Sequence, residues 1–289
     1  MKIIVLGATG QMGSVIYDGL RKTHQVIGTS RKSSGKHIQF DPFHNDWSLL
    51  GKTDVLINCV GQIEPTKASS FHRIHVGLTQ LIIKNREVIG HPKIVQISAL
   101  GASAHHRVEF LRTKGVADDL LLKQPNTVIV RPSIVCTPRT MIVRKMLMML
   151  PISRYTMGLV FIPKGFLKTR IQPVMPPDLA DVVEAMCKAF DQRIINVVGP
   201  EAIRFRDLIV LMLENKNQRL RLIEIPKLIM DVLVHCLVSF TIPKVINSQQ
   251  YQLLFEDNIA DAHSIQQILR RSLTPTKQFF INEFTYAAD

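Results

Sequence analysis

Short runs of β-branched and aliphatic residues alternate with longer stretches of helical spacing through the first half of the chain. Residues 2–6, 25–29, 37–39, 55–58, 94–98 and 127–130 read as strands. Most are near-continuous apolar runs, the pattern of strands buried on both faces of a parallel sheet rather than of strands with one wet face. Between them, residues 12–22, 71–88 and 109–123 carry apolar positions at helical intervals. Alternation of this kind predicts an α/β fold built on a doubly wound parallel sheet.

The pattern loosens after Arg139. Residues 141–150 (MIVRKMLMML) predict a methionine-rich helix, and a proline- and glycine-rich stretch runs on to Pro177. Residues 178–190 predict a helix with Asp178 as its N-cap, and residues 194–198 a last buried strand returning to the sheet. From Arg206 onward the chain reads as helical with weaker patterning. The expected organisation is a first domain of residues 1–139, rejoined by 178–200, and a smaller, mostly helical C-terminal lobe from 140–177 and 201–289. Within that lobe, residues 228–242 (LIMDVLVHCLVSFTI) place Leu228, Val232, Cys236 and Phe240 on one helical stripe. The stripe reads as core, or as a surface that docks on a membrane protein or an anionic bilayer.

The first strand leads directly into Gly7-Ala8-Thr9-Gly10-Gln11-Met12-Gly13, with a helix starting inside the motif. A GxxGxxG placed between a strand and a helix is a dinucleotide cradle. Gly7 permits the tight turn, Gly10 lets the backbone approach a pyrophosphate, and Gly13 lets the helix pack on the strand. The helix start offers N–H groups and a positive dipole end to the phosphates, with Thr9, Gln11 and Met12 flanking them. This is the Rossmann arrangement. An NAD-type site places an acid at the end of the second strand, for the ribose 2′-hydroxyl. Here Arg31 and Lys32 stand there instead, and two cations suit the 2′-phosphate of NADP(H). Asp41, after the next strand, is placed either to reach the adenine or ribose or to cap the turn before Pro42.

Composition narrows the setting. In 289 residues, 46% are hydrophobic and 20% charged, which provides a full core and excludes a disordered chain. Cys59, Cys136, Cys187 and Cys236 form no CxxC pair, so neither a disulfide framework nor a metal site is expected. The net charge of +13 suits an anionic partner: a phosphorylated cofactor, an acidic protein or an anionic membrane face. Scattered basic pairs, few aromatics and no DNA-binding motif argue against nucleic acid. Neither a signal peptide nor an uninterrupted membrane-spanning run is visible, and a cytoplasmic protein is expected, with peripheral contact to a membrane left open.

The glycine turn, Asn58-Cys59-Val60-Gly61, Ile97-Ser98-Ala99-Leu100-Gly101-Ala102 and Arg131-Pro132-Ser133 together resemble the extended, atypical short-chain dehydrogenase/reductases. The likeness is greatest to the group that includes the 39 kDa subunit of respiratory complex I and NmrA-type proteins. Arg170-Ile171-Gln172-Pro173-Val174 with Asp178-Leu179-Ala180, Asn196 to Glu201, and Gln252-Leu253-Leu254 with Asp257-Asn258 extend it over nearly the whole chain. The resemblance implies that Val60, Gly61, Lys114 and Pro132 lie along the cofactor. Active members use a Ser, a Tyr and a Lys, the last two at i and i+4 on one helix face. Ser98 and Lys114 hold two of these positions; Phe110 holds the Tyr position and has no proton to give, where a positioned acid/base contributes roughly 10²–10⁴-fold. His105, His106 and Glu109 are the nearby substitutes, and His75 stands where active members tend to carry Asn.

Two functions follow. In one, the chain binds NADP(H) without turning it over, or turns it over weakly, and serves a structural, assembly or redox-sensing role. In the other, it is an NADP-dependent oxidoreductase or epimerase of a small molecule with a substitute proton donor.

Overall fold

Ile3 and Val5 of the first strand face one side of a parallel sheet, Ile4 and Leu6 the other, and all four are fully buried. That double burial is why the strand runs are continuous rather than alternating. The computed structural model describes residues 1–32, 35–62, 69–137, 159–188, 193–214, 221–226, 228–229, 248–277 and 279.

The strands are β1 (Lys2–Leu6), β2 (Gln25–Ser30), β3 (Ile38–Gln39), β4 (Val55–Asn58), β5 (Lys93–Ile97), β6 (Thr127–Pro132), β7 (Leu159–Pro163), β8 (Arg170–Ile171), β9 (Ile194–Val197), β10 (Ile203–Arg204) and β11 (Arg221–Ile225). Seven of them form one sheet in the order β3-β2-β1-β4-β5-β6-β9. Every pairing in it is parallel. The helices are α1 (Gln11–Leu20), α2 (Leu78–Lys84), α3 (Glu109–Leu122), α4 (Pro176–Cys187), α5 (Phe205–Glu214), α6 (Ser248–Leu253) and α7 (His263–Leu269).

One face of the sheet is covered by α1, α4 and α7 through Ile16, Leu20, Leu179, Val183, Met186 and Ile265. The other is covered by α2 and α3 through Leu78, Ile82 and Leu121, with Phe40 and Trp47. Each such side chain, fully buried, contributes roughly 1.5–3 kcal/mol. Strand order reverses between β1 and β4. Open parallel sheets form a crevice at the carboxyl ends of the strands at such a reversal, and here the reversal sets Gly7 beside Cys59 and Val60, which follow Asn58.

Three expectations are corrected. The helix expected from residue 178 starts at Pro176, with Met175 as N-cap and proline in the first turn, where a missing N–H costs nothing. Asp178 is therefore inside the first turn, fully buried, and accepts from the Thr274 amide (2.8 Å) and hydroxyl (3.0 Å) and from Arg271 (2.7 Å). The helix expected over 71–88 contains a π turn, Arg73–Gly77, before α2. The C-terminal part is not all helical: Arg221–Ile225 forms β11, parallel to β7, as its leucine and two isoleucines favour. The helix expected over 141–150 and the apolar stripe from 230 onward lie outside the described residues; Leu228 and Ile229 are 75% and 51% exposed. Among the described residues, no helix is long and apolar enough to cross a membrane.

Candidate functional site

Gly7 takes a left-handed φ of +76° as the chain leaves β1, a conformation that costs glycine nothing. The Gly10 amide donates back to the Gly7 carbonyl at 2.9 Å, and the Ser14 amide donates to the Gly10 carbonyl at 2.9 Å. A Cβ on Gly13 would stand 2.0 Å from the Gly7 carbonyl oxygen, so only glycine lets α1 approach the turn this closely. Gly10 caps α1 in an extended conformation and has no side chain with which to satisfy its first amides. Such a helix start suits an anion. Thr9 Oγ1 reaches Ser30 Oγ at 3.5 Å, which ties the turn to β2. Gln11 is turned aside, its amide donating to Thr137 Oγ1 at 2.9 Å, and Met12 packs against the core.

Arg31 and Lys32 are exposed immediately after β2. Asp41 takes the turn-capping role of the two open to it: Oδ1 accepts from the Phe43 amide at 3.0 Å, and Oδ2 lies 3.0 Å from His44 Nδ1. Burial works against its ionisation, but the Phe43 amide, His44 and Arg31 outweigh it and hold the carboxyl below the usual range.

On the other side of the reversal, the Val60 amide donates to Asn58 Oδ1 at 3.1 Å, and Gly61 is exposed. Lys114, on the buried face of α3, donates to the Ile97 carbonyl at 3.2 Å. Burial pulls its pKa down, while Asp118 and Cys59 pull it up. Phe110 lies one turn earlier on α3. Its ring centre is 5.9 Å from Phe71, 5.7 Å from His75 and 5.9 Å from Lys114 Nζ. His75, in the middle of the π turn, stacks on Phe71 and contacts Thr113 Oγ1 at 2.8 Å. Its pKa is lowered to about 2 by burial first and the Lys114 charge second, against a smaller pull from the Gln62 carbonyl.

Ser98 points its hydroxyl into the sheet–helix interface, donating to Asp118 Oδ2 at 2.8 Å. Arg131 donates to the same oxygen from Nε (3.0 Å) and is joined to it from its terminal nitrogen (2.9 Å). Burial raises the Asp118 pKa, while Ser98 and Arg131 oppose the rise. So Ser98 is engaged in holding a buried ion pair beside Pro132. His105 is exposed. His106 accepts from the Val108 amide at Nδ1 (3.0 Å), so its Nε2–H donates to Glu256 (3.0 Å). That latch occupies both nitrogens. Glu109 stands in the first turn of α3.

The latch is one of three from consecutive residues. Glu256 also binds Arg107 (2.7 Å), Asp257 binds Arg170 (2.7 Å), and Asn258 accepts from Ser133 (2.5 Å). Sequence reasoning noted Asp257 and Asn258 only as part of a resemblance, and missed Asp118 altogether. The carboxylate four residues after Lys114 was the available signal.

No family model matches the chain. It is 27% identical over 245 residues to the Arabidopsis thaliana protein named NADH dehydrogenase [ubiquinone] 1 alpha subcomplex subunit 9, mitochondrial, a match covering 77% of this chain and 60% of that protein. It is 28% identical over 147 residues to the mitochondrial NADH-ubiquinone oxidoreductase 40 kDa subunit of Neurospora crassa, covering 45% and 39%. The chain thus spans less than two thirds of the length of either relative. Among solved structures, MoeE5 in complex with UDP-glucose and NAD superposes with a TM-score of 0.73 at 14% identity, over 99% of this chain and 98% of that one. The UDP-glucuronic acid 4-epimerase of Bacillus cereus, in complex with UDP-glucuronic acid and NAD, superposes with 0.71 at 18% identity, over 99% and 98%. The sequence relatives and the shared fold agree with the residue motifs.

The chain is similar in sequence to these two mitochondrial subunits and shares the Rossmann fold of the solved structures.

Within this fold, the structure brings Lys114, Phe110, Val60 and Gly61 together beside the glycine turn, while Ser98 faces Asp118 and Asp41 caps its own turn. A hollow of about 400 Å³ beside α1, lined by Gln11, Ser14, Cys136, Thr137 and Pro176 among others, includes none of Phe110, His75 and Lys114.

Proposed function

We propose that this protein binds a nicotinamide dinucleotide, NADP(H) in preference to NAD(H), and keeps it in a structural, assembly or redox-sensing role with little or no turnover. The glycine turn fits the pyrophosphate: its helix start is uncapped, and Gly13 lets α1 begin close against the turn. Arg31 and Lys32 supply the charge for a 2′-phosphate. The observation that carries the non-catalytic reading is Phe110. Its ring is packed among Phe71, His75 and Lys114, and no proton can leave from it. Ser98 and His106 are engaged elsewhere, so neither takes over. Both curated relatives are named as NADH–ubiquinone oxidoreductase subunits, which supports a role within a larger, membrane-associated assembly.

The test is to purify the protein, identify any nucleotide carried with it, and add a panel of carbonyls and quinones. Stoichiometric NADPH that stays reduced supports the proposal. Turnover that disappears in His105→Ala or Glu109→Ala establishes the oxidoreductase or epimerase reading instead.

A further inference from the structure

Strands β7 and β11 run parallel, so both end on the same side of their ribbon. The Lys164 amide donates to the Ile225 carbonyl at 2.9 Å, which holds the two exits together. Beyond β11 the chain turns, the Ile229 amide donating to the Pro226 carbonyl at 3.0 Å. The turn projects two neighbouring aliphatic side chains, Leu228 and Ile229, 75% and 51% exposed. Leu228 is the most exposed large hydrophobic side chain among the described residues. Isolated aliphatic side chains at a surface are ordinary, whereas contiguous apolar surface rimmed by polar groups marks an interaction site.

The rim here is cationic. Lys164 directly follows β7, and Lys168 closes the tight helical turn after it, Phe166–Lys168. Both lysines are exposed, and neither forms an ion pair among the described residues. The sequence around them has the same bias. Residues 140–177 and 215–247, which contain β7 and β11, hold eleven Lys and Arg against two acids, Glu224 and Asp231. That excess of nine is most of the net charge of +13, so the charge is concentrated in the two stretches that this ribbon joins. An acidic protein face would satisfy the lysines but leave Leu228 and Ile229 against carboxylates and water. A bilayer interface presents phosphate and hydrocarbon together, and long lysine stems reach the phosphates while aliphatic neighbours sink below them.

We infer that the shared end of β7 and β11 docks on the anionic phospholipid face of a bilayer, Leu228 and Ile229 entering the headgroup layer and Lys164 and Lys168 meeting lipid phosphates. The inference gives a surface to the membrane-associated role proposed above. It does not depend on the dinucleotide, so the two readings fail separately.

Vesicle flotation of the full chain tests it, with phosphatidylcholine alone and with phosphatidylglycerol added. Wild type is expected to float with the anionic vesicles at low salt, to float little with phosphatidylcholine, and to be released by high salt. Lys164→Glu with Lys168→Glu is expected to weaken anionic-vesicle binding about tenfold or more, and Leu228→Ser with Ile229→Ser about tenfold. Lys22→Glu with Lys123→Glu makes the same change of charge at exposed sites beyond the ends of α1 and α3, and is expected to stay within about twofold of wild type. Thermal melts verify folding, and the two docking pairs report on the surface independently. No flotation with anionic vesicles overturns the inference, and so does equal flotation with phosphatidylcholine alone. Wild-type binding by the Leu228 and Ile229 variant also overturns it. A loss in the Lys22 and Lys123 variant as large as in the Lys164 and Lys168 variant does so too, because it marks diffuse charge.

Discussion

Lys114 Nζ lies over the face of Phe110, 5.9 Å from the ring centre, one turn along the same helix. A single oxygen on this ring would sit in the field of a buried cation. Phe110→Tyr is therefore expected to create a tyrosine whose pKa lies about a unit or more below the usual ~10, because the neighbouring charge favours the phenolate. Ultraviolet difference titration against wild type reads it directly. A new tyrosine titrating at or above its ordinary value would mean that the lysine does not act on this position.

Arg31 is exposed at the end of β2 with no acid beside it on that strand. Arg31→Ala is expected to weaken NADPH about tenfold while leaving NADH within about twofold, since charge-assisted bonds to phosphate are lost only for the phosphorylated cofactor. Equal losses for the two would remove the 2′-phosphate assignment.

The glycines of the turn separate stability from binding. On Gly13 an added Cβ meets the Gly7 carbonyl oxygen at 2.0 Å; on Gly10 the same atom is 3.2 Å away. Gly13→Ala is expected to cost about 3 kcal/mol or more, as backbone has to move. Gly10→Ala should melt close to wild type but bind dinucleotide more weakly. Denaturant melts of the two variants decide it, and matching losses of stability would be contrary to the packing described.

Asp118 is fully buried and its side chain is held by Ser98 and Arg131. Removing one partner of a buried pair leaves an uncompensated charge, so Arg131→Met is expected to destabilise by about 3–5 kcal/mol at neutral pH. The folded-state pKa of Asp118 is already raised, and this change raises it further. A carboxyl whose folded pKa exceeds its unfolded one gains stability as pH falls through the folded value. The deficit of Arg131→Met should therefore narrow as the solution is acidified. A deficit constant with pH would show that Asp118 is not the group left unpaired.

His75 has the opposite sign. Its folded pKa, about 2, lies far below the unfolded one near 6.5, so the stability linked to its neutral form is present above about pH 6.5 and is lost as pH falls. From about pH 6.5 to about pH 5.5 the loss is about 1 kcal/mol. Urea melts of wild type and His75→Phe should diverge over that interval, the variant losing less. Parallel curves would place the imidazole in contact with water.

What could be read from the sequence follows from how local each feature is. β1, its turn and α1 are contiguous, so Gly7, Gly10 and Gly13 announced themselves by spacing, and the continuous apolar runs gave the parallel sheet. Lys114 and Phe110 were visible because one helix carries both. Ser98 could be singled out from its place after β5, but the direction of its hydroxyl depends on Asp118 and Arg131, which lie 20 and 33 positions later. The extent of the C-terminal helical reading failed because β11 has a partner, β7, that lies far away in sequence. Asp178 looked like a helix cap because capping and burial against Thr274 use the same carboxylate chemistry; only the fold shows which applies.

The three latches at Glu256, Asp257 and Asn258 reach back 149, 87 and 125 residues, to Arg107, Arg170 and Ser133. A growing chain emerges from the ribosome in order, so the sheet and the glycine turn are complete long before the residues that fasten the loop in front of α3. Until then, the cradle can form while the segment leading to Phe110 and Lys114 stays unfastened. The order of synthesis makes the glycine-turn end of the site the early part of this protein, and the end at Phe110 and Lys114 the late one.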